Sequence, residues 1–145
     1  MDNGTPQWLQ QFIDTYQNLA VDNVDNILNI YHTEVTFQDP LHRVDGLSNL
    51  LAYFQGLYTN LSSCDFVITH HFAAEDEACI YWHMTFVHAK LNGAKPIKVE
   101  GHSHLKGKDD KVIYHRDYLD VGAMLYEHIP LLGAGVRFIK KRASQ

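Results

Sequence analysis

Hydrophobic positions near the N-terminus recur at the spacing of helices. Thr5 followed by Pro6 predicts a helix start, a hydroxyl cap with proline at the first helical position. The apolar residues of this helix lie three or four positions apart: Trp8, Phe12, Ile13, Tyr16 and Leu19. Asp22 predicts the cap of a second helix with one apolar face: Val24, Ile27, Leu28 and Tyr31. A third helix after Asp45 and Gly46 is predicted by a longer stripe: Leu47, Leu50, Leu51, Phe54, Leu57, Tyr58 and Leu61.

Between the second and third helices the pattern changes to the alternation of a strand. Val35, Phe37 and Asp39 share one side of this strand, and Pro40 ends it. Residues 41–46 then form a predicted loop. A carboxylate on an apolar face is unfavourable unless it has a partner or a function. Asp39 is therefore the first candidate functional residue, and the alternative is a turn residue that caps a loop or accepts backbone hydrogen bonds after the strand.

Residues 65–120 predict an antiparallel meander of four longer strands. The strand 78–90 places four large side chains on one face: Ile80, Trp82, Met84 and Phe86. Asn92-Gly93 predicts a hairpin, because both residues tolerate positive φ. Segment 121–142 predicts a helical tail of two short helices around Pro130 and Gly133. Helices on one side of an antiparallel sheet give an α+β fold, and a strongly twisted sheet can curl around them and leave a conical cavity.

Composition restricts the classes of protein to consider. The 145 residues, 46% of them apolar, fit a single domain over 1–145 with a real core. A net charge of −5 argues against binding to nucleic acid, which calls for clustered Lys and Arg. Cys64 and Cys79 lack the spacing of a metal site or a disulfide scaffold. The polar N-terminus and the lack of a long apolar run lead us to expect a cytoplasmic protein.

Two segments resemble the nuclear transport factor 2-like superfamily, and most closely its SnoaL-like branch. The first is centred on YHTEVTFQDP at 31–40, and the second is VIYHRDYLD at 112–120. This resemblance implies a cone-shaped, strongly curved antiparallel sheet wrapped around N-terminal helices, the cystatin-like roll. The superfamily includes ketosteroid isomerase, scytalone dehydratase, limonene epoxide hydrolase and SnoaL-type polyketide cyclases. The resemblance therefore specifies a fold more closely than a reaction.

Carried over by position, the resemblance implies site residues. Asp39-Pro40 resembles the Asp-Pro of ketosteroid isomerase, in which the aspartate is the general base. A gap-free count places Thr15 where that enzyme has its donor tyrosine, with Tyr16 one residue away. Ser103 stands at the position of its late aspartate. The chain thus departs from the donor pair that steroid isomerisation needs.

Asp117 resembles the acid/base aspartate of SnoaL-type cyclases. His115 lies two residues earlier, on the same strand face, so the His–Asp pair could orient the imidazole and make a usable base. The alternative is a structural pairing of Asp117 with Arg116 or Tyr118, or simple exposure. The ligand-binding residues predicted around Asp39, His115 and Asp117 are Tyr16, Phe37, His42, Phe54, Trp82, Met84 and Ser103.

These observations lead to one main hypothesis and one alternative. The main hypothesis is a SnoaL-like protein whose pocket aspartate, Asp39 or Asp117, acts on a small, apolar, carbonyl-bearing molecule as an isomerase, cyclase or hydrolase. Such chemistry needs no cofactor. A metal site is not expected, because His102 and His104 lack a clear third ligand. The alternative is a non-catalytic ligand-binding or protein-interaction member of the same fold.

Two surfaces suggest partners. Polar and aromatic residues on adjacent strands predict a homodimer through the outer face of the sheet: Glu100, His102, His104, Tyr114, Arg116 and Tyr118. The basic stretch 133–142 is amphipathic. We expect it to pack on its own domain or on a second subunit, the alternative being an anionic membrane surface or another partner.

Overall fold

Six strands form one curved, open sheet in the computed structural model, which describes residues 4–144. The strands are β1 (Tyr31–Gln38), β2 (Arg43–Asp45), β3 (Leu61–Ala74), β4 (Glu77–His88), β5 (Ile97–Lys108) and β6 (Lys111–Leu119). Their order in the sheet is β2-β1-β6-β5-β4-β3. β1 runs parallel to β6, and the other neighbouring pairs are antiparallel. The predicted meander is therefore confirmed as β3 to β6.

Four α-helices accompany the sheet within the described residues 4–144. They are α1 (Gln7–Gln17), α2 (Leu47–Tyr58), α3 (Val121–Met124) and α4 (Leu132–Ala143). Short 3₁₀ segments cover Val24–Asn29, Asn92–Ala94 and Tyr126–His128. α1 packs on β3 and β6, and α2 packs on β1, so both lie over the concave side of the sheet. Within residues 4–144, no helix combines the length and the apolar character needed to cross a membrane.

The core lies between α1, α2 and the concave face of the sheet. α1 buries the face that its periodicity predicts: Trp8, Leu9, Phe12, Ile13 and Tyr16. Alternate residues of the strands meet this face from the sheet: Val35, Phe37, Ile80, Trp82, Phe86, Ile97, Val99, Leu105 and Val112. Full burial of each large apolar side chain stabilises the fold by about 1.5–3 kcal/mol relative to exposure.

The second predicted helix is wrong in extent. It is a 3₁₀ segment, Val24–Asn29, whose cap residue is Asn23 rather than Asp22, and Leu28 is 44% exposed. Tyr31 begins β1 instead of ending this helix. The pairing of β1 with β6 shifts between Tyr31 and Thr36, which is the irregularity of a bulge. Local apolar spacing could not anticipate this tertiary pairing.

Other boundaries also differ from the pattern. β2 lies inside the predicted loop 41–46, because three residues are too few to show an alternation. Leu61 belongs to β3 rather than to the third helix. Asn92 and Gly93 have the expected positive φ, but they lie in a longer connection than a two-residue hairpin. α1 begins at Gln7 with Pro6 at its cap and no side-chain cap bond, so Thr5 does not cap it.

Gly107 lets β5 approach α1 closely. A Cβ atom at this position would lie 2.4 Å from the ring of the buried Trp8. We expect Gly107→Ala to lower the free energy of unfolding by about 1–3 kcal/mol, because the ring must move out of its packed position. Gly56→Ala in α2 is the matched control. Its Cβ would meet nothing within 4 Å, so it should stabilise by about 0.5–1 kcal/mol. Urea denaturation measures the free energy of unfolding of both variants. Equal changes in the two would contradict the close approach of Gly107 to Trp8.

Candidate active site

The concave side of the sheet, together with α1 and α2, bounds a cavity of about 360 Å³. Aromatic and aliphatic side chains make up most of its wall, including Phe12, Phe37, Phe54, Phe66, Trp82, Met84 and Phe86. Polar residues are the smaller part of the wall: Tyr16, Asp39, Tyr53, Tyr58, Asn60, Cys64, His88, Ser103, His115 and Asp117. Ligand sites commonly have this size and a predominantly apolar wall.

The cavity brings together most of the residues predicted from the sequence. The three candidate catalytic residues, Asp39, His115 and Asp117, line it. So do the following candidate ligand-binding residues: Tyr16, Phe37, Phe54, Trp82, Met84 and Ser103. His42 does not belong to the wall. It is exposed, and its ring lies beside that of Tyr53 with centroids 5.3 Å apart.

Asp117 is held from two sides. The register of β5 against β6 places Ser103 directly opposite it. Ser103 Oγ donates to Asp117 Oδ1 at 2.5 Å, and His115 Nε2 lies 2.6 Å from the same oxygen. Trp82 Nε1 in turn donates to Ser103 Oγ at 2.9 Å. Ser103 and His115 thus fix one oxygen of the carboxylate, and Trp82 fixes Ser103.

The chain of hydrogen bonds continues beyond the imidazole. His115 Nδ1 lies 2.6 Å from the Tyr31 hydroxyl, which lies 2.5 Å from the Tyr16 hydroxyl. Tyr16 lines the cavity, as does Asp117. Six side chains therefore form one continuous path from Trp82 to Tyr16, and it starts and ends at the cavity wall.

The direction of each bond follows from the groups involved. A carboxylate oxygen only accepts, so His115 Nε2 carries the hydrogen. In a neutral imidazole Nδ1 is then an acceptor, and Tyr31 donates to it. Tyr31 has one hydrogen, so Tyr16 donates to Tyr31. With His115 neutral, every donor from Tyr16 onward points toward Asp117.

The surroundings of this hydrogen-bond chain are apolar. His115 is 2% exposed, and its ring meets those of Phe37 and Phe12 at centroid distances of 4.8 and 5.5 Å. Burial raises the pKa of both Tyr16 and Tyr31 well above the ordinary value, although for Tyr31 the hydrogen bond with Tyr16 opposes this shift. Both phenols therefore keep their protons and remain able to donate.

Asp39 occupies a different part of the wall, next to the exposed Pro40 and Leu41. Its Oδ1 accepts the backbone N–H groups of Leu41 and His42 at 2.7 and 2.8 Å. Its Oδ2 accepts the Tyr53 hydroxyl at 2.5 Å. Burial is the larger cause, and this hydrogen bond to Asp39 the next, of a raised pKa at Tyr53. Both oxygens of Asp39 are thus engaged in shaping the turn after β1.

Sequence reasoning missed two tyrosines of the site. Tyr31 was assigned to a helix, although it stands in the same alternation as Val35 and Phe37, which could have placed it on the inner face. Tyr53 lies off the apolar stripe of α2 and carried no signal of its own. Neither alternative partner predicted for Asp117 bonds to it: Arg116 lies over the ring of Tyr118 at 4.8 Å, and Asp117 is bonded to Ser103 and His115.

Other titratable groups show where further chemistry could lie. Among residues 4–144, no three His, Cys, Asp or Glu side chains cluster to hold a metal ion. His104 pairs with Glu77 at 2.9 Å, and His102 stacks on Tyr118. Burial raises the pKa of the Cys64 thiol to about 11, which keeps this wall residue protonated and a poor nucleophile.

Comparison with known proteins gives the family. The sequence profile of the SnoaL-like domain matches residues 9–115. The chain belongs to the SnoaL-like family. No curated protein sequence matches this SnoaL-like protein significantly.

Solved structures share the fold of this SnoaL-like protein. A candidate SnoaL-like polyketide cyclase from Jannaschia sp. CCS1 has a TM-score of 0.70 at 13% identity, over 86% of this chain and 95% of that one. A protein of ketosteroid isomerase-like fold from Catenulispora acidiphila, solved with trimethylamine, has a TM-score of 0.71 at 14% identity, over 83% and 91%. An LEH-like epoxide hydrolase of M. tuberculosis has a TM-score of 0.65 at 14% identity, over 83% and 85%. At such identities the likeness shows the fold alone.

The buried phenols predict a loss of stability at alkaline pH. The pKa values of Tyr16 and Tyr31 are raised in the folded protein, so the unfolded chain loses these protons first as the pH rises. Their contribution to stability is complete below the ordinary tyrosine pKa of 10.0 and declines above it. Urea denaturation at about pH 9 and about pH 11 should show a lower free energy of unfolding at the higher pH.

Two substitutions assign this effect to the buried tyrosines. Tyr16→Phe should reduce the dependence of stability on alkaline pH, because it removes one buried ionisable group. Tyr126→Phe is the matched control at an exposed tyrosine and should leave the dependence unchanged. An identical slope for wild type and Tyr16→Phe would contradict the assignment.

Proposed function

We propose that this SnoaL-like protein is a cofactor-independent enzyme in which Asp117 is the general base toward a small, apolar, carbonyl-bearing substrate. The observation that carries the proposal is the asymmetry of the Asp117 carboxylate. Oδ1 is bonded to both Ser103 and His115, whereas Oδ2 accepts no hydrogen bond from any side chain or backbone group of residues 4–144. One oxygen is anchored and the other is available at the cavity wall.

This arrangement suits proton abstraction. The two bonds to Oδ1 fix the orientation of the carboxylate before a ligand arrives, so little reorganisation is needed when it reacts. The largely apolar wall lowers the local polarity, which strengthens electrostatic interactions inside the cavity. A positioned base of this kind contributes about 10²–10⁴-fold to a rate.

The proposed step keeps atoms and charges balanced. Asp117 Oδ2 takes a proton from the carbon next to the substrate carbonyl, and the C–H electron pair becomes the C=C bond of an enolate. The carbonyl oxygen takes the negative charge, and Tyr16 is the proposed donor to it, once its O–H turns from Tyr31 to the ligand. Return of the proton to another carbon completes an isomerisation, whereas attack of the enolate carbon on a second carbonyl closes a ring.

The contacts of Asp39 favour a structural role over the catalytic one. Its two oxygens accept three hydrogen bonds from Leu41, His42 and Tyr53, and these bonds hold the turn after β1. An aspartate before proline commonly has this role in a turn. We therefore assign the base to Asp117 and the shape of the cavity edge to Asp39.

One observation also favours a second candidate, a non-catalytic binder. The cavity wall is dominated by aromatic side chains, and a carboxylate anchored by Ser103 could simply recognise a donor on a ligand. Solved structures named as a candidate SnoaL-like polyketide cyclase and an LEH-like epoxide hydrolase support the enzyme by analogy of fold. Proton exchange at carbon separates the two candidates.

The test measures proton abstraction without requiring the natural substrate. Cyclic ketones such as 2-tetralone are incubated with the protein in deuterated water, and deuterium uptake at the carbon next to the carbonyl is followed by NMR. Wild type should accelerate the exchange over buffer. Asp117→Asn should lower this acceleration by about 100-fold or more, because it removes the base and keeps the shape.

Asp39→Asn is the matched control. It changes the other cavity carboxylate and should retain exchange within a few-fold of wild type, provided that circular dichroism shows an unchanged fold. Loss of exchange in Asp39→Asn with full activity in Asp117→Asn would reverse the two roles. Tight ketone binding with no exchange above buffer would favour the non-catalytic binder.

We further propose that two copies associate through the outer face of the sheet. On this face the ring of His102 stacks on Tyr118 at a centroid distance of 5.0 Å, and the ring of Tyr81 lies 5.4 Å from that of His102. Tyr81 and Tyr118 are about two-fifths exposed, and aromatic residues of this kind are typical of interfaces. Light scattering at micromolar concentration should give twice the molar mass of one chain. Tyr118→Asp should lower the molar mass to that of one chain.

Lys95→Glu, in the exposed connection between β4 and β5, is the control for this shift and should leave the mass unchanged. A wild-type mass of one chain would contradict the dimer.

A further inference from the structure

The C-terminal helix α4 is attached to the rest of the protein by its polar side. Gly133 packs so closely that a Cβ atom there would lie 2.4 Å from the carbonyl oxygen of Glu127. Arg137 donates to the same carbonyl at 2.6 Å. Lys140 bonds to Asp120 at 2.7 Å and to Glu127 at 3.1 Å. The side of α4 that faces the protein is therefore held by charges and backbone groups.

The apolar side of α4 faces outward. Leu132, Phe138 and Ile139 are 48%, 64% and 66% exposed, and Leu131 just before the helix is 90% exposed. This orientation is the reverse of that in an ordinary surface helix, whose apolar stripe faces the core. α4 therefore packs on its own domain through its polar side, while its apolar side stays exposed.

The sequence of α4 is also basic. The helix carries Arg137, Lys140, Lys141 and Arg142 and no acidic residue, in a chain whose net charge is −5. Lys140 is paired with carboxylates, whereas Lys141 and Arg142 are exposed and form no ion pair within residues 4–144. Two free cations thus accompany the outward apolar residues.

We propose that α4 docks on an anionic lipid surface. Phe138, Ile139 and Leu132 would enter the boundary between headgroups and acyl chains, while Lys141 and Arg142 meet lipid phosphates. This partner satisfies both the apolar and the cationic part of the exposed side. A second copy fits less well, because a two-fold interface would bring the same basic patch of each copy close together.

The position of α4 gives this docking a consequence for the cavity. Met124 and Leu125, in the segment that leads toward α4, line the cavity. Docking would therefore hold the end of the segment that contributes to the cavity wall at the lipid surface.

Sedimentation with lipid vesicles tests the proposal. The full chain is mixed with vesicles of phosphatidylglycerol and phosphatidylcholine, or of phosphatidylcholine alone, and the bound fraction is measured. Binding should be about tenfold or more stronger to the anionic vesicles and should weaken as salt is added. Ile139→Asp with Phe138→Asp should lower it by about tenfold or more, and Lys141→Gln with Arg142→Gln should remove the preference for anionic lipid.

The control is Leu28→Asp, which places the same charge at an exposed aliphatic residue far along the chain from α4. It should bind vesicles as wild type does. Absence of binding, or equal binding to both kinds of vesicle, overturns the proposal. So does a fall in molar mass on Phe138→Asp in light scattering without vesicles, because that result identifies a second copy as the occupant. Thermal melts followed by circular dichroism confirm that each variant is folded.

Discussion

The hydrogen-bond chain from Trp82 to Tyr16 is the constraint on which the rest of the site depends. A buried polar group without a partner is strongly unfavourable, so each member requires the next. His115 can occupy its place among phenylalanine rings only because Tyr31 and Asp117 satisfy both of its nitrogens. This chain of hydrogen bonds joins β1, β4, β5, β6 and α1, and so it specifies how these elements fit together around the cavity.

The same bonds that satisfy the core also divide the Asp117 carboxylate into two unlike oxygens. Ser103 and His115 hold Oδ1, and the second oxygen remains at the cavity wall. Asp39 shows the contrasting case, since backbone N–H groups and Tyr53 occupy both of its oxygens. Two aspartates thus line the same cavity. Their hydrogen-bond partners, rather than their residue type or position in a motif, decide which of them keeps a carboxylate oxygen available to a ligand.

The sequence predicted those parts of the fold that local periodicity specifies. The apolar stripe of α1, the alternation of β4 and the shared face of His115 and Asp117 follow from spacing alone, and the structure has all three. The prediction for Tyr31 was wrong because its spacing from Ile27 and Leu28 also fits a helix. Only the pairing of β1 with β6 decides between helix and strand at this residue. The bond from Ser103 depends on the register of β5 and β6. The outward side of α4 was not predictable either, because periodicity shows that a helix has an apolar side but not which way it turns.

The polarity of the hydrogen-bond chain links its two ends through one imidazole. With His115 neutral, Tyr31 donates to Nδ1 and Tyr16 donates to Tyr31, so Tyr16 offers only a lone pair to the cavity. With His115 protonated, Nδ1 becomes a donor, Tyr31 must turn its hydrogen toward Tyr16, and Tyr16 must turn its own toward the cavity. The acceptor at Asp117 and the donor at Tyr16 are therefore not independent groups. A ligand that draws the hydrogen of Tyr16 into the cavity therefore changes the hydrogen-bond pattern around Asp117 through Tyr31 and His115.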